Sequence, residues 1–348
     1  MKVIFMGTPD FSTGVLESII RAGHEVTAVV TQPDKPKGRG HEMQFTPVKE
    51  VALKHNLPVL QPKKIRDPEV VEQLREIPAD ICVVVAFGQI IPKSILEMKK
   101  YGCINVHASL LPAYRGAAPI QWAVVDGLKE TGVTIMQMDE GLDTGDMLTK
   151  VVVPIEDNDT GESLFDKLAV CGADLIVKAL DAIEAGKVTP VKQDEAASTH
   201  VGMLKKEFGR MDFSQDAVVL ERKIRGLNSW PSAYTYLKGK TLKIWDADVV
   251  ADDEVAKMSK EGDFDISGMY VDDERSYLVM YMCETDEQMD TINEWDDEDM
   301  EEILGAAQHR MMPIFDDLEV DVFVSVMNKD YDALLTYVEE GFVIDERD

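Results

Sequence analysis

Asp80-Ile-Cys-Val-Val-Val-Ala-Phe87 is an apolar run with no polar alternation. A strand that shows water one face alternates apolar and polar residues, whereas a run like this one marks a strand buried on both faces, as in a parallel sheet covered by helices. The sequence around it agrees. KVIFM (2–6) is a second apolar strand, followed by a loop and an amphipathic stretch from Ser12 to Ala22. EVTAVVT (25–31) reads as a strand, Thr46 to Asn56 as a helix, and LPVL (57–60) as a short strand. Beyond the central run come a Pro-initiated helix from Pro92 to Lys99, the strand GCINVH (102–107), a helix near Ala118 to Asp126, and the strand TGVTIMQMD (131–139). MLTKVVVPI (147–155) suggests a further, partly antiparallel strand, and Leu164 to Glu184 a closing helix. Strands alternating with helices predict an α/β fold: a Rossmann-like, open, parallel-rich sheet with helices on both faces.

The chain has 348 residues, 45% of them apolar, enough for a large core and two or three domains. No run approaches the roughly 18 apolar residues of a membrane helix, and the N-terminus enters a strand at once without a signal-peptide pattern, so a cytoplasmic, membrane-free protein is expected. A monomeric state is expected as well. Cys82, Cys103, Cys171 and Cys283 are scattered, with none of the close spacings of a zinc site or a disulfide scaffold. They read as reduced core thiols, and no metal is expected.

The net charge of -29 is unevenly spread. Residues 1–250 carry a net of -4, whereas residues 251–348 carry 31 acidic and only 6 basic side chains, a net of -25. Such asymmetry predicts a separate module. The expected organisation is a catalytic domain over 1–190, a polar, poorly periodic linker over 191–210, the start of a β-barrel-like domain over 211–250, and an acidic α+β module over 251–348. Within the third part, DAVVLERKIRGLN (216–228) has helical spacing and AYTYLKGKTLKIWDADVV (233–250) reads as a hairpin turning at KGK. In the acidic module, SYLVMYMCE (276–284) and VDVFVSVM (320–327) read as strands, and Glu298 to Leu318 and Tyr331 to Glu340 as helices.

Asn105 and His107 carry the chemistry. Residues i and i+2 of a strand point to the same face, so an amide and an imidazole converge at the carboxyl edge of the sheet, where open α/β folds place their ligands. A lone histidine is more often structural than catalytic. Here the irregular apolar wall Ser109-Leu-Leu-Pro112 follows, and the tight loop Met138-Asp-Glu-Gly-Leu-Asp-Thr-Gly145 leaves the next strand, from which Asp143 could reach the imidazole. Asn, His and Asp at one crevice suit acyl or formyl transfer, with hydrogen bonds to a developing oxyanion and a carboxylate tuning the imidazole or relaying a proton. A metal site is the competing reading, but one His and one Asp make a poor ligand set. The loop Gly7-Thr-Pro-Asp-Phe-Ser-Thr-Gly14 fails the dinucleotide pattern, with Pro9 and Asp10 where a pyrophosphate would need close backbone approach and no negative charge.

These motifs carry a resemblance. MGTPDFS, TQPDKPKGRG, TPVKE, VVVAFGQIIP, GCINVHASLLPAYRGAAPIQ, TGVTIMQMDEGLDTGDML and WPSAYT closely resemble the bacterial methionyl-tRNA formyltransferase family, within the folate-dependent formyltransferases, from Lys2 to about Val250. The resemblance implies transfer of the formyl group of 10-formyltetrahydrofolate, as cosubstrate, to the α-amino group of methionine on initiator tRNA, in translation initiation. It implies Asn105, His107 and Asp143 as catalytic residues. Ser109, Leu110, Leu111 and Pro112 would contact folate, and Gln89, Ile90 and Ile91 would line the pterin site. Lys35, Lys37 and Arg39 would grip the tRNA acceptor end, and no DNA partner is implied. A basic loop suits phosphate contacts on physical grounds too, although alone it reads as a solvated surface loop. The family's small C-terminal barrel finds its opening helix and hairpin here but no recognisable match in 251–348. Two rivals stand beside this reading: related formyl chemistry with water or a small amine as acceptor, and a non-catalytic regulatory protein on the same fold.

Overall fold

The computed structural model describes residues 1–37, 42–213, 215–237, 240–247 and 249, together with five strands between 265 and 345. The chain divides into two compact units, Met1–Leu204 and Lys205–Asp348.

The first unit runs β1 (Lys2–Gly7), α1 (Asp10–Arg21), β2 (Glu25–Val30), β3 (Lys35–Lys37), β4 (Glu42–Gln44), α2 (Pro47–Lys54), β5 (Val59–Leu60), α3 (Pro68–Glu76), β6 (Ile81–Val85), α4 (Lys93–Leu96), β7 (Cys103–His107), β8 (Arg115–Gly116), α5 (Pro119–Val125), β9 (Glu130–Gln137), β10 (Met147–Pro154), α6 (Gly161–Glu184) and β11 (His200–Val201). Seven strands form one sheet in the order β10-β9-β7-β6-β1-β2-β5. From β7 through β5 all pairs are parallel. This is the expected α/β fold.

Strand alternation divides the core into two layers. Val3, Phe5, Val83, Val85, Ile104 and Val106 face the layer that holds Leu16 of α1 and Leu168 and Ile176 of α6. Ile4, Met6, Cys82, Val84 and Cys103 face the layer that holds Val71 and Leu74 of α3 and Ile95 of α4. Every residue of β6 is buried, as the unbroken apolar run requires. Asn105 and His107 stand in register with Cys103, on the α3 and α4 side.

Several elements depart from expectation, among them β9, α3 and α4. The reversed strand is β9, which runs antiparallel to β7, and β10 is antiparallel to β9 in turn. A parallel return needs a crossover as long as the strand, and the seven residues of α5 rise only about 10 Å. The chain therefore re-enters the sheet near the edge it left. Helix α3 was not expected at all, and α4 is shorter than the Pro92 to Lys99 span.

In the second unit, α7 (Ala217–Leu227) packs on the hairpin β12 (Ala233–Leu237) and β13 (Lys240–Ile244) around Met211, Ile224, Ala233 and Ile244. A five-stranded sheet follows, in the order β14 (Asp265–Val271), β15 (Ser276–Cys283), β16 (Asp321–Asn328), β17 (Ala333–Val338) and β18 (Gly341–Asp345). Two of these are the expected strands. The helix expected over Tyr331 to Glu340 is instead β17, paired on both edges with β16 and β18. Its core, Thr-Tyr-Val, is β-branched and aromatic, and pairing overrides a weak helical period. The helix expected over Glu298 to Leu318 lies outside the described residues. Among the described residues no helix is long and apolar enough to cross a membrane.

Candidate active site

β7 ends at His107, whose side chain is almost wholly buried. Its Nε2 lies 2.9 Å from the carbonyl oxygen of Tyr114, and because a carbonyl only accepts, Nε2 is the donor. Nδ1 therefore faces Asp143, 3.7 Å from Oδ2. Both side chains are shielded from water, with 7% and 12% exposure, so their mutual field is weakly screened. Asn105 is half-buried on the same face, and its amide makes no hydrogen bond to another described residue. That leaves a donor unspent beside the imidazole.

Asp143 reaches this place by a detour. β9 runs towards the start of β7 and ends with Gln137 opposite Ile104, so the loop leaving it must double back. The loop is built to do so. The Asp139 carboxylate accepts from Gly141 N at 2.9 Å and Thr144 Oγ1 at 2.6 Å, closing a tight turn. Gly145 passes so near the carbonyl of Gln137 that a Cβ would sit 1.7 Å from its oxygen. Asp143 itself holds φ 55°, in the left-handed region. Gly116 N donates to Asp143 Oδ2 at 2.8 Å and turns the carboxylate towards the imidazole.

The wall after His107 is shaped by Thr134, the residue opposite it on β9. Thr134 Oγ1 donates to Ser109 O at 2.7 Å and accepts from Leu111 N at 3.2 Å. Ser109 Oγ turns inward to Ala113 O, and Leu111 is buried, which leaves Leu110 and Pro112 as the partly exposed members. The other expected folate residues divide. Ile90 is 89% exposed, whereas Ile91 is buried in the core layer beneath. The Gln89 amide spans the neighbouring loop, accepting from Ile65 N at 2.7 Å and donating to Pro62 O at 3.2 Å. The loops bearing Ile90 and Leu142 are tied by Lys93 and Glu140 at 2.6 Å.

Lys35 is exposed on the ribbon β3–β4, where Lys35 pairs with Gln44 and Lys37 with Glu42. Arg39 lies outside the described residues. At the ribbon's base Asp34 binds the Lys49 ammonium and the Gln61 amide. Burial opposes the Asp34 charge, but these donors hold its carboxyl below the ordinary range.

Residues not anticipated as functional surround the pair. Arg115 is 1% exposed; its guanidinium meets Glu195 through Nη1 at 3.0 Å and Nη2 at 2.8 Å, and its Nε meets Gln193 Oε1 at 3.0 Å. The Arg115 hydrogen bonds hold the Glu195 carboxyl below its ordinary range. Tyr114 and Arg115 were inside the quoted motif, but nothing local in sequence marks Gln193. No cluster of three or more His, Cys, Asp or Glu near enough to hold a metal occurs among the described residues.

A half-buried free amide, an imidazole and a carboxylate at one strand end can polarise a carbonyl and accept a proton. Comparison with known proteins agrees in kind. The profile for "Formyl transferase" matches residues 1–180, and that for "Formyl transferase, C-terminal domain" matches 203–287. The second match runs past the expected end near Val250 and takes in β14 and β15. Methionyl-tRNA formyltransferase of Lachnospira eligens is 60% identical over 261 residues, 75% of this chain and 82% of that protein. The protein of the same name from Geobacter sulfurreducens is 48% identical over 266 residues, 75% of this chain and 84% of its own. Among solved structures, an N-formyltransferase from Helicobacter canadensis in complex with folinic acid and dTDP-3-aminofucose has a TM-score of 0.57 at 20% identity, covering 72% of this chain and 88% of its own. A 4-N formyltransferase from Francisella tularensis has a TM-score of 0.57 at 17% identity, covering 72% and 98%. At such identities these two show the shared fold. With a profile over half its length and relatives this similar, the chain belongs to the formyl transferase family.

Proposed function

We propose that the chain transfers the formyl group of 10-formyltetrahydrofolate to the α-amino group of methionine esterified to initiator tRNA, with Asn105, His107 and Asp143 as its catalytic residues. The dry His107–Asp143 pair beside an unspent Asn105 amide carries this reading. The amine attacks the formyl carbon and a C–N bond forms. The Asn105 amide donates to the oxygen as it gains charge, while His107, whose Nε2 is spent on the Tyr114 carbonyl, keeps Nδ1 for the proton. The amine's proton passes to the His107–Asp143 pair, the bond from the formyl carbon to the folate nitrogen breaks, and that nitrogen takes up a proton as it leaves.

Ser109 to Pro112 and Gln89 to Ile91 would receive the folate, Leu110, Pro112 and Ile90 through their side chains. Gln89 and Ile91 would act by shaping the loop, since their side chains are engaged within the protein. Lys35, Lys37 and Arg39 would contact tRNA phosphates, the two lysines from a ribbon anchored through Asp34 and Lys49. The reaction would take place in the cytoplasm, by a monomer.

The test is formylation of charged initiator tRNA with 10-formyltetrahydrofolate. His107→Ala should cut kcat by at least about a hundredfold while donor binding by equilibrium titration persists. An active His107→Ala protein would sink the assignment of the site. Formate, or a formylated small amine without labelled tRNA, would move the acceptor to another class.

A further inference from the structure

The polar segment expected as a linker is built into the site. Val191 exchanges two backbone hydrogen bonds with Met147, each 2.8 Å. Two residues on, the Gln193 carboxamide spends both of its hydrogen-bonding atoms on the catalytic loop and its neighbour. Its Nε2 donates to Asp143 O at 2.8 Å and to Gly145 O at 2.7 Å, and its Oε1 accepts from Arg115 Nε. Glu195 then takes the other end of Arg115. Further on, the Thr199 hydroxyl accepts from Tyr114 N at 2.8 Å, Thr199 O from Arg115 N at 2.9 Å, and β11 pairs with β8.

The held backbone is the one that orients the pair. Tyr114 offers its carbonyl to His107, and Gly116 its amide to Asp143. Asp143 sits in the left-handed region, which an aspartate adopts more readily than most residues but at some energetic cost. Gln193 holds the loop there by gripping the carbonyls on either side of Thr144.

We infer that residues 191–201 form a clamp that positions the His107–Asp143 pair, with Gln193 as its chief positioning residue. The inference rests on the proposed roles of His107 and Asp143. Without the carboxamide the loop relaxes, and a displacement of about 1 Å at a reacting group can cost around a hundredfold in rate.

Steady-state formylation by the full chain tests it, with Gln193→Met as a variant of similar size that lacks the hydrogen bonds. The expected result is a fall in kcat of about 10- to 100-fold with the KM for donor and for tRNA unchanged. In an Asp143→Asn background the same substitution should add little, because the carboxylate it positions is already gone. Undiminished kcat, or an equal loss in both backgrounds, would overturn the inference. If Gln193→Met unfolds at the assay temperature, the isosteric Gln193→Glu, which keeps the acceptor for Arg115 and removes the two donors, bears the same comparison. Should Asp143→Asn itself keep full activity, the site reading fails; if only the Gln193 effect is missing, the clamp alone fails.

Discussion

Gly116 shows how closely the backbone is fitted here. It holds φ 102°, and a Cβ would lie 2.4 Å from Val201 O, inside the β8–β11 pairing. Gly116→Ala should therefore cost about 1 to 3 kcal/mol of stability and also loosen the amide that orients Asp143. Thermal unfolding and kcat should fall together, and a variant with normal Tm and kcat would contradict the account. At this scale the sequence was legible where chemistry is local. Asn105 and His107 are two residues apart on one strand, so alternation alone brings them to one face. Gln193 was not legible: its acceptors lie 48 and 50 residues away, and a polar residue in an aperiodic stretch carries no signal of them.

Helix α6 starts from a dense polar cap. Thr160 and Ser163 form a reciprocal capping box, each accepting from the other's backbone N–H at 3.0 Å. Asp159 is buried beneath it, accepting from Glu156 N at 2.8 Å, Ser163 Oγ at 2.8 Å and Lys167 Nζ at 2.7 Å. Burial opposes its charge, yet these donors hold its carboxyl below its ordinary value of 3.8. The unfolded chain thus binds this proton more tightly than the folded one. The stabilisation is complete above the ordinary value and is lost as pH falls through the lower folded one. Asp159→Asn should lower stability at neutral pH by about 1 to 2 kcal/mol and flatten the acid side of a Tm against pH curve. An unchanged acid limb would remove Asp159 from the explanation. Elements were readable in proportion to their apolar period. β6 is unmistakable because both faces are buried. α3 escaped because it buries only Val71 and Leu74 among charged neighbours, and β17 because its identity depends on strands that pair with it.

Over the whole molecule, charge is the property that sequence displays most openly. Residues 251–348 carry a net of -25 against -4 for the rest. If the ribbon lysines contact RNA phosphate as proposed, binding releases counterions and KM for tRNA should rise with salt. Anionic charge on the same chain opposes that binding at low ionic strength and is screened as salt increases. Between about 50 and 200 mM salt, KM should therefore climb less steeply for the full chain than for one cut after Glu287, the end of the matched C-terminal domain. Equal slopes would show that the acidic residues exert no field on tRNA.

The clamp also sets an order of assembly. The seven-stranded sheet and its last long helix are complete when Glu184 has left the ribosome, but the Asp143 loop then lacks Gln193 and Thr199. A nascent chain at that stage would hold the fold without a set active site. Chimeras face the same constraint: a joint placed just after α6 would discard the clamp with the old partner, whereas one placed after Leu204 would carry it along.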